Sequence, residues 1–196
     1  MKYIIVSIVA YLIGSYCSSI PISKKYFGED IRNKGSGNAG ATNMARCFGA
    51  KAGLTVLGCD MLKTIVAMLI GKYLAGESGE ALAGAFCIIG HCFPIFFSFR
   101  GGKGVSVGAA LGLMQGVGVF AVIMAVFLIV AVSGKKVSLA SITAAASLPI
   151  ASLLCGATEP MLIMSVFSGV LVIIMHHENI KRLINGTESD FKFKKV

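Results

Sequence analysis

Six long apolar stretches dominate the sequence and leave few folds open to it. Residues 3 to 22, 54 to 75, 79 to 98, 105 to 133, 138 to 156 and 160 to 176 carry few charges. Their lengths lie near the roughly 20 residues that a helix needs to cross a bilayer core. Over all 196 residues only 14% are charged, against about 25% in soluble domains. The runs are continuous, without the apolar and polar alternation of a barrel strand. The chain therefore reads as an all-α, polytopic integral membrane protein. Residues 1 to 20 lead through Ser15, Ser18 and Ser19 straight into a polar loop, so they are expected to stay as the first helix rather than serve as a leader. The six cysteines show no CxxC or CxH spacing, so small apolar packing is expected of them, not disulfides or structural zinc.

Charge placement orients the helices. Lys24, Lys25, Arg32, Lys34, Arg46 and Lys51 lie between the first two runs, and Arg100 and Lys103 between the third and fourth. Lys135 and Lys136 follow the fourth run, and Lys181, Arg182, Lys192, Lys194 and Lys195 occupy the tail. The connections at 76 to 80 and 156 to 160 have no Lys or Arg and carry Glu77, Glu80 and Glu159. Basic loops stay cytoplasmic. One span over 105 to 133 would put Lys135, Lys136 and the tail on the side opposite the first loop. That run contains Gln115 among Gly112, Gly116 and Gly118, and we split it there into two helices, at least one of them short. The expectation is a single domain, 1–196, with seven transmembrane helices, the N-terminus outside and the C-terminus cytoplasmic.

Three polar clusters then fall on the cytoplasmic side. The first runs from Asn33 to Asn43 and is followed by Arg46; its glycines let backbone N–H groups approach an anion, and Ser36, Asn38, Thr42 and Asn43 add donors with no competing carboxylate. A flexible linker is the plainer alternative. The second is Arg100-Gly101-Gly102-Lys103-Gly104, directly before the run that starts at Val105. A helix N-terminus there favours anions, and Lys103 adds a point charge. The spacing is not that of a Walker loop, so nucleotide hydrolysis is not implied. The third is His176-His177-Glu178-Asn179-Ile180-Lys181-Arg182-Leu183. In a helix His176 and Asn179 share a face, and a histidine there can orient a hydroxyl or exchange a proton. Asp60 and Lys63, three apart in an apolar run, are expected to form an intramembrane ion pair. Ser138 and Ser141 can add hydroxyls from beside Lys136, with helix capping as the plainer role of Ser138.

Two Gly-rich anion sites and a third polar cluster, all at one water–lipid boundary, suggest a phosphorylated polar substrate meeting a lipid. There is no GxSxG elbow, no acidic cluster for magnesium and no dinucleotide fingerprint, so no cofactor and no metal are expected. The order of Gly35-Ser36-Gly37-Asn38, Thr42-Asn43, Gly90-His91-Cys92-Phe93-Pro94, Gly101-Gly102-Lys103-Gly104-Val105, Ser138-Leu139-Ala140-Ser141 and His176-His177-Glu178-Asn179-Ile180 resembles the bacterial acyl-phosphate:glycerol-3-phosphate acyltransferase family known as PlsY. The likeness spans nearly the whole chain. Ala39 stands where many members have Pro, and Val105-Ser106-Val107 replaces the more usual Val-Ala-Thr.

The resemblance implies seven helices, an acyl phosphate donor, glycerol 3-phosphate as acceptor, and 1-acylglycerol 3-phosphate plus phosphate as products. Its partners are those two substrates and membrane lipid, with functional coupling to an acyl-phosphate-producing enzyme and no nucleic acid. It assigns Gly101 to Gly104 with Ser36, Asn38 and Thr42 to the donor phosphate and developing oxyanion, and counts Gly37 and Asn43 among the substrate-binding residues. Arg46, Lys103 and Ser141 go to the glycerol phosphate. His176 and Asn179 orient the acceptor hydroxyl, and the donor's own phosphate takes its proton. A transporter for a phosphorylated metabolite is the competing class, but its site should sit near the midplane between internal repeats, and no repeat is visible. A transferase for isoprenoid phosphates is a third, which the missing acidic ligands disfavour.

Overall fold

The computed structural model describes residues 1–134 and 136–190. Lys135 and the tail residues Lys192, Lys194 and Lys195, used above for topology, lie outside the described residues. Among the described residues every regular element is helical. The chain starts with α1 (Lys2–Ser15) and α2 (Ser19–Phe27), which together form one apolar segment broken at 16–18. The first run, expected as a single helix, is thus two. At the break Lys63 donates to the carbonyls of Gly14 and Tyr16 at 3.0 and 2.8 Å, satisfying acceptors that a helix end leaves open.

The polar stretch after α2 contains a short helix, α3 (Ala41–Phe48), so Thr42, Asn43 and Arg46 stand on a helix rather than in a loop. Helix Ala50–Cys92 is broken at Ala75 and Gly76, where Gly76 has φ 65°. This gives α4 (residues 50–74) and α5 (residues 77–92), folded back on each other. Contacts across the break prove the reversal: Lys72 pairs with Glu80 at 3.0 Å, and Lys63 meets His91 at 3.0 Å. Along a straight helix residues 63 and 91 would be about 42 Å apart. Gly71 and Gly79 face one another so closely that a Cβ on either would overlap the other's carbonyl. The expected third run of 79 to 98 thus stops at Cys92, and a 3-10 turn (Ile95–Phe97) follows. Glu80 is buried in the hairpin rather than free in a connection.

The run from 105 to 133 is divided as expected: α6 (Val105–Gln115) ends at Gly116, whose φ of 134° suits glycine, and α7 (Val117–Gly134) follows. At about 16 Å, α6 is too short to span a bilayer core. Gln115 donates to Ser165 Oγ at 3.0 Å, and Ser165 lies 2.9 Å from Ser152 Oγ, so the split is anchored by a polar link inside the bundle. α8 (Val137–Leu154) and α9 (Glu159–Met175) complete the bundle, and α10 (His177–Ile184) turns off α9 by 58°. Pro149 in α8 has no N–H for the carbonyl of Ala145, and Gly169 of α9 packs on that freed carbonyl. Met68, Ile88, Leu111, Met164 and Val172 join α4, α5, α6 and α9 in the central core.

Candidate active site

A cavity of about 1000 Å³ opens inside the bundle, at the upper end of the roughly 300–1,000 Å³ typical of small-molecule sites. Its wall has two characters. Ser36, Asn38, Thr42, Arg46, Lys103, Ser138, Ser141, His176, Asn179, Arg182 and Glu188 supply polar and charged groups. Leu54, Leu57 and Met61 of α4 face Phe120, Ile123, Met124 and Phe127 of α7, spaced three or four apart on one helix face. The polar clusters, remote in sequence, therefore share one chamber with an apolar branch.

Asn43 shapes the first loop. It is 2% exposed; its Oδ1 accepts the Ser36 N–H at 3.0 Å, and its Nδ2 donates to the carbonyls of Lys34 and Asn38 at 3.0 Å and of Ile31 at 3.3 Å. With its amide so committed, Asn43 organises the loop while standing on the cavity wall. Gly35 and Gly37 turn the chain at φ 57° and 71°, and a Cβ on Gly35 would overlap the Asn43 amide. Thr42 and Arg46 lie four apart on α3 and face the cavity together.

Gly37 of the first loop and Gly101, Gly102 and Gly104 of the second stand outside the cavity wall. Gly102 donates its N–H to the His91 carbonyl at 3.0 Å, and a Cβ there would overlap the His91 ring. Gly101 accepts from Ala39 N–H and Asn38 Nδ2, both at 3.4 Å. The glycines let this turn lie flat on α5 and pin it to the first loop, which carries Lys103 into the cavity. Ala39, where many members of the resembled family have Pro, contributes an N–H that Pro lacks.

Lys103, Asn179 and Glu188 form a chain. Lys103 donates to Asn179 Oδ1, Asn179 Nδ2 donates to Glu188 Oε1 at 2.7 Å, and Ser138 Oγ donates to the same oxygen at 2.6 Å. Arg182 Nε meets Glu188 Oε2 at 2.7 Å. Lysine can only donate and carboxylate only accept, so the partners settle which way the Asn179 amide points. Burial pushes the Glu188 carboxyl up, but the hydrogen bonds from Ser138, Asn179 and Arg182 outweigh it and hold it below the ordinary carboxylate value. Burial and the nearby Arg182 push the Lys103 ammonium below its ordinary value. Removing the carboxylate in Glu188→Ala frees the Asn179 amide; we expect kcat/KM to fall about ten- to hundredfold, the worth of roughly 1–3 kcal/mol for an unsatisfied buried group. Steady-state kinetics with each substrate checks this.

His176 occupies the bend between α9 and α10 and is 3% exposed. Its Nδ1 lies 2.7 Å from the Val172 carbonyl. A carbonyl only accepts, so Nδ1 carries hydrogen and, in the neutral ring, Nε2 is the acceptor. Ser141 also lines the cavity, with its Oγ donating to the Val137 carbonyl at 2.8 Å.

Of the expected site residues, Ser36, Asn38, Thr42, Asn43, Arg46, Lys103, Ser141, His176 and Asn179 reach the cavity wall. Sequence reasoning missed Glu188 and gave no site role to Arg182 or His91, which also line it. The one available signal for Glu188 was an acidic residue, with Asp190, ahead of a basic tail.

The family model described as glycerol-3-phosphate acyltransferase matches residues 4–186. A glycerol-3-phosphate acyltransferase of Thermoanaerobacter sp. (strain X514) is 41% identical over 96% of each chain. One of Fusobacterium nucleatum is 39% identical over 98% of this chain and 100% of its own. The crystal structure of PlsY, an integral membrane glycerol 3-phosphate acyltransferase, in its glycerol 3-phosphate form matches with a TM-score of 0.89 at 38% identity, covering 98% of this chain and 96% of that one. Its lysophosphatidic acid form matches at 0.86 and 35%, with the same coverage. With the family model spanning almost its full length and relatives near 40% identity, this chain belongs to the glycerol-3-phosphate acyltransferase family of integral membrane proteins, as its PlsY-like motifs imply.

Proposed function

We propose that this chain transfers a fatty acyl group from an acyl phosphate to glycerol 3-phosphate at the cytoplasmic face of a bacterial cell membrane. The observation that carries the reading is the cavity in which Arg46, Lys103 and Arg182 share walls with an apolar branch between α4 and α7. A small doubly charged acceptor and a lipid-tailed acyl donor both find matching surfaces there. The acyl chain lies along the Leu57 and Phe127 side; its phosphate meets Ser36, Asn38 and Thr42, with the Gly101–Gly104 turn bracing their loop. Arg46, Lys103 and Ser141 hold the glycerol phosphate, and His176 with Asn179 orient the acceptor hydroxyl.

In the reaction the acceptor oxygen bonds to the acyl carbon, the bond from that carbon to the phosphate oxygen breaks, and the hydroxyl proton leaves with the phosphate. The positioned cations and donors stabilise charge that develops in the transition state. His176 Nε2 accepts the hydroxyl's hydrogen bond and aims it. If His176 were instead an essential base, His176→Ala would abolish turnover at every pH while leaving substrate binding intact.

The whole chain, 1–196, acts as one membrane domain. Seven helical segments thread the membrane, with the two legs of the α4–α5 hairpin counted separately and the N-terminus outside; α6 is a short one that ends inside the bundle, where protein and not lipid covers it. An enzyme supplying acyl phosphate is its functional partner. The test is direct: purified protein in detergent, given acyl phosphate and glycerol 3-phosphate without added metal, should release phosphate. Absence of release sinks the assignment.

The Lys103 charge also sets a pH limit. The charged form exists below its folded pKa and is lost as pH rises through it, so glycerol phosphate binding should weaken at a lower alkaline pH than an ordinary lysine would give. A kcat/KM profile should show that fall, and Lys103→Arg, which stays charged, should remove it from whatever activity remains.

A further inference from the structure

Behind the Gly101–Gly104 turn lies a buried polar group that the reaction above does not use. Lys63 Nζ is 3.0 Å from Asp60 Oδ1 and 3.0 Å from His91 Nδ1, besides its bonds to the ends of α1. Ser18 Oγ also donates to Asp60 Oδ1, at 3.3 Å. His91 and Asp60 are 2% and 1% exposed. An ammonium has only hydrogens to give, so a protonated Nδ1 at 3.0 Å would set donor against donor. Asp60 Oδ1 is 3.8 Å from Nδ1, beyond hydrogen-bond reach. His91 is therefore a neutral ring with Nδ1 as acceptor and hydrogen on Nε2, the opposite tautomer from His176.

Nε2 is the ring atom turned onto Gly102, and only a glycine leaves it space. The ring lines the cavity. The neighbouring carbonyl groups are committed: that of His91 takes the Gly102 N–H and that of Gly101 takes Ala39 and Asn38. Nε2 makes no hydrogen bond among the described residues, and it is not one of their sealed, unpartnered atoms, so on the cavity wall its hydrogen is free for a ligand.

We infer that His91 is a further substrate-binding residue, a neutral donor locked by Lys63 and Asp60 so that Nε2–H meets the anion of the acyl phosphate where the two Gly-rich loops join. The inference rests on the acyl-phosphate reading above. A neutral donor suits this place: it adds a hydrogen bond without adding charge beside Lys103, and it cannot take the acceptor's proton, because its only free valence is already protonated.

The test uses the whole protein in micelles with ¹⁵N-labelled histidine. Its spectrum should show one ring with hydrogen on Nε2 and Nδ1 as acceptor, absent from His91→Gln. A non-hydrolysable acyl phosphonate should move that Nε2 proton downfield, and glycerol 3-phosphate alone should leave it in place. Hydrogen on Nδ1, or a proton indifferent to the phosphonate, overturns the inference.

Kinetics supply a second arm. His91→Phe should raise KM for acyl phosphate about tenfold, the worth of one hydrogen bond to a charged group, with KM for glycerol 3-phosphate nearly unchanged. His91→Gln, whose amide N–H reaches toward the same place, should recover part of the loss. Equal rises for both substrates, or none, count against the role. Should His91→Phe fail to fold, the spectrum decides. A phosphonate shift in a protein that does not turn over acyl phosphate refutes the donor reading and leaves His91 as an anion contact. Turnover without the shift refutes His91 alone.

Discussion

Replacing Lys103 by Met is expected to lower kcat/KM for glycerol 3-phosphate by about a thousandfold. The side chain sits at the crossing of three elements: its turn is pinned to the first loop through Gly101, and its ammonium donates to Asn179, which in turn is held by Glu188. Losing it removes a cation from a partly buried site and leaves the Asn179 carbonyl oxygen without its donor. Removing one preorganised donor that stabilises charge in an active site costs about 2.7–4 kcal/mol, and each 1.36 kcal/mol is tenfold in rate. The loss should fall mainly on acceptor binding. Kinetics that vary the two substrates separately would show it, and an unchanged KM for glycerol 3-phosphate with kcat intact would refute the assigned role.

Lys63→Met should act on the fold instead. Among the described residues the Asp60 carboxylate would keep only the Ser18 hydroxyl as a hydrogen-bond partner, its Oδ2 already having none, and the C-terminal end of α1 would lose the donor for Gly14 and Tyr16. A destabilisation of about 3–5 kcal/mol is expected, seen as a large drop in Tm and in recovered protein. Because a buried ion pair replaced by apolar groups is often close to neutral, Asp60→Leu with Lys63→Met should recover much of the loss. A double variant less stable than the single one would show that the pair is not the cause.

The same cluster shows where sequence reading succeeds and where it stops. Asp60 and Lys63 lie three apart in an apolar run, so their pairing follows from local geometry and the cost of lone charges in lipid. His91 lies 28 residues beyond Lys63, and only the reversal at Ala75–Gly76 brings them together. Its partner was therefore invisible to spacing. Glu188 is a sharper case: it bonds to Ser138, 50 residues earlier, and nothing in the polar tail marks it as buried.

Gln115 and its glycines disclosed the split between α6 and α7 because glycine near a polar residue weakens a membrane helix locally. The Gly-rich loops disclosed the site but not the division of labour within it. Composition alone does not separate a glycine that exposes its N–H to a ligand from one that lets two backbones touch. Gly102 is of the second kind here, since its N–H is held by His91. Asn43 illustrates the same limit among donors: the residue type promised a ligand contact, and the fold spends it on four backbone groups.

The proposed reaction brings donor, acceptor and membrane side together in one cavity, and one reconstitution tests all three. The protein is placed in vesicles of known orientation, with acyl phosphate in the bilayer and glycerol 3-phosphate supplied only to the compartment that faces the basic loops. We expect lysophosphatidate and phosphate to form in equal amounts from that side alone. Product formed only when glycerol 3-phosphate is on the opposite side, or formed from acyl-CoA but not from acyl phosphate, would contradict it.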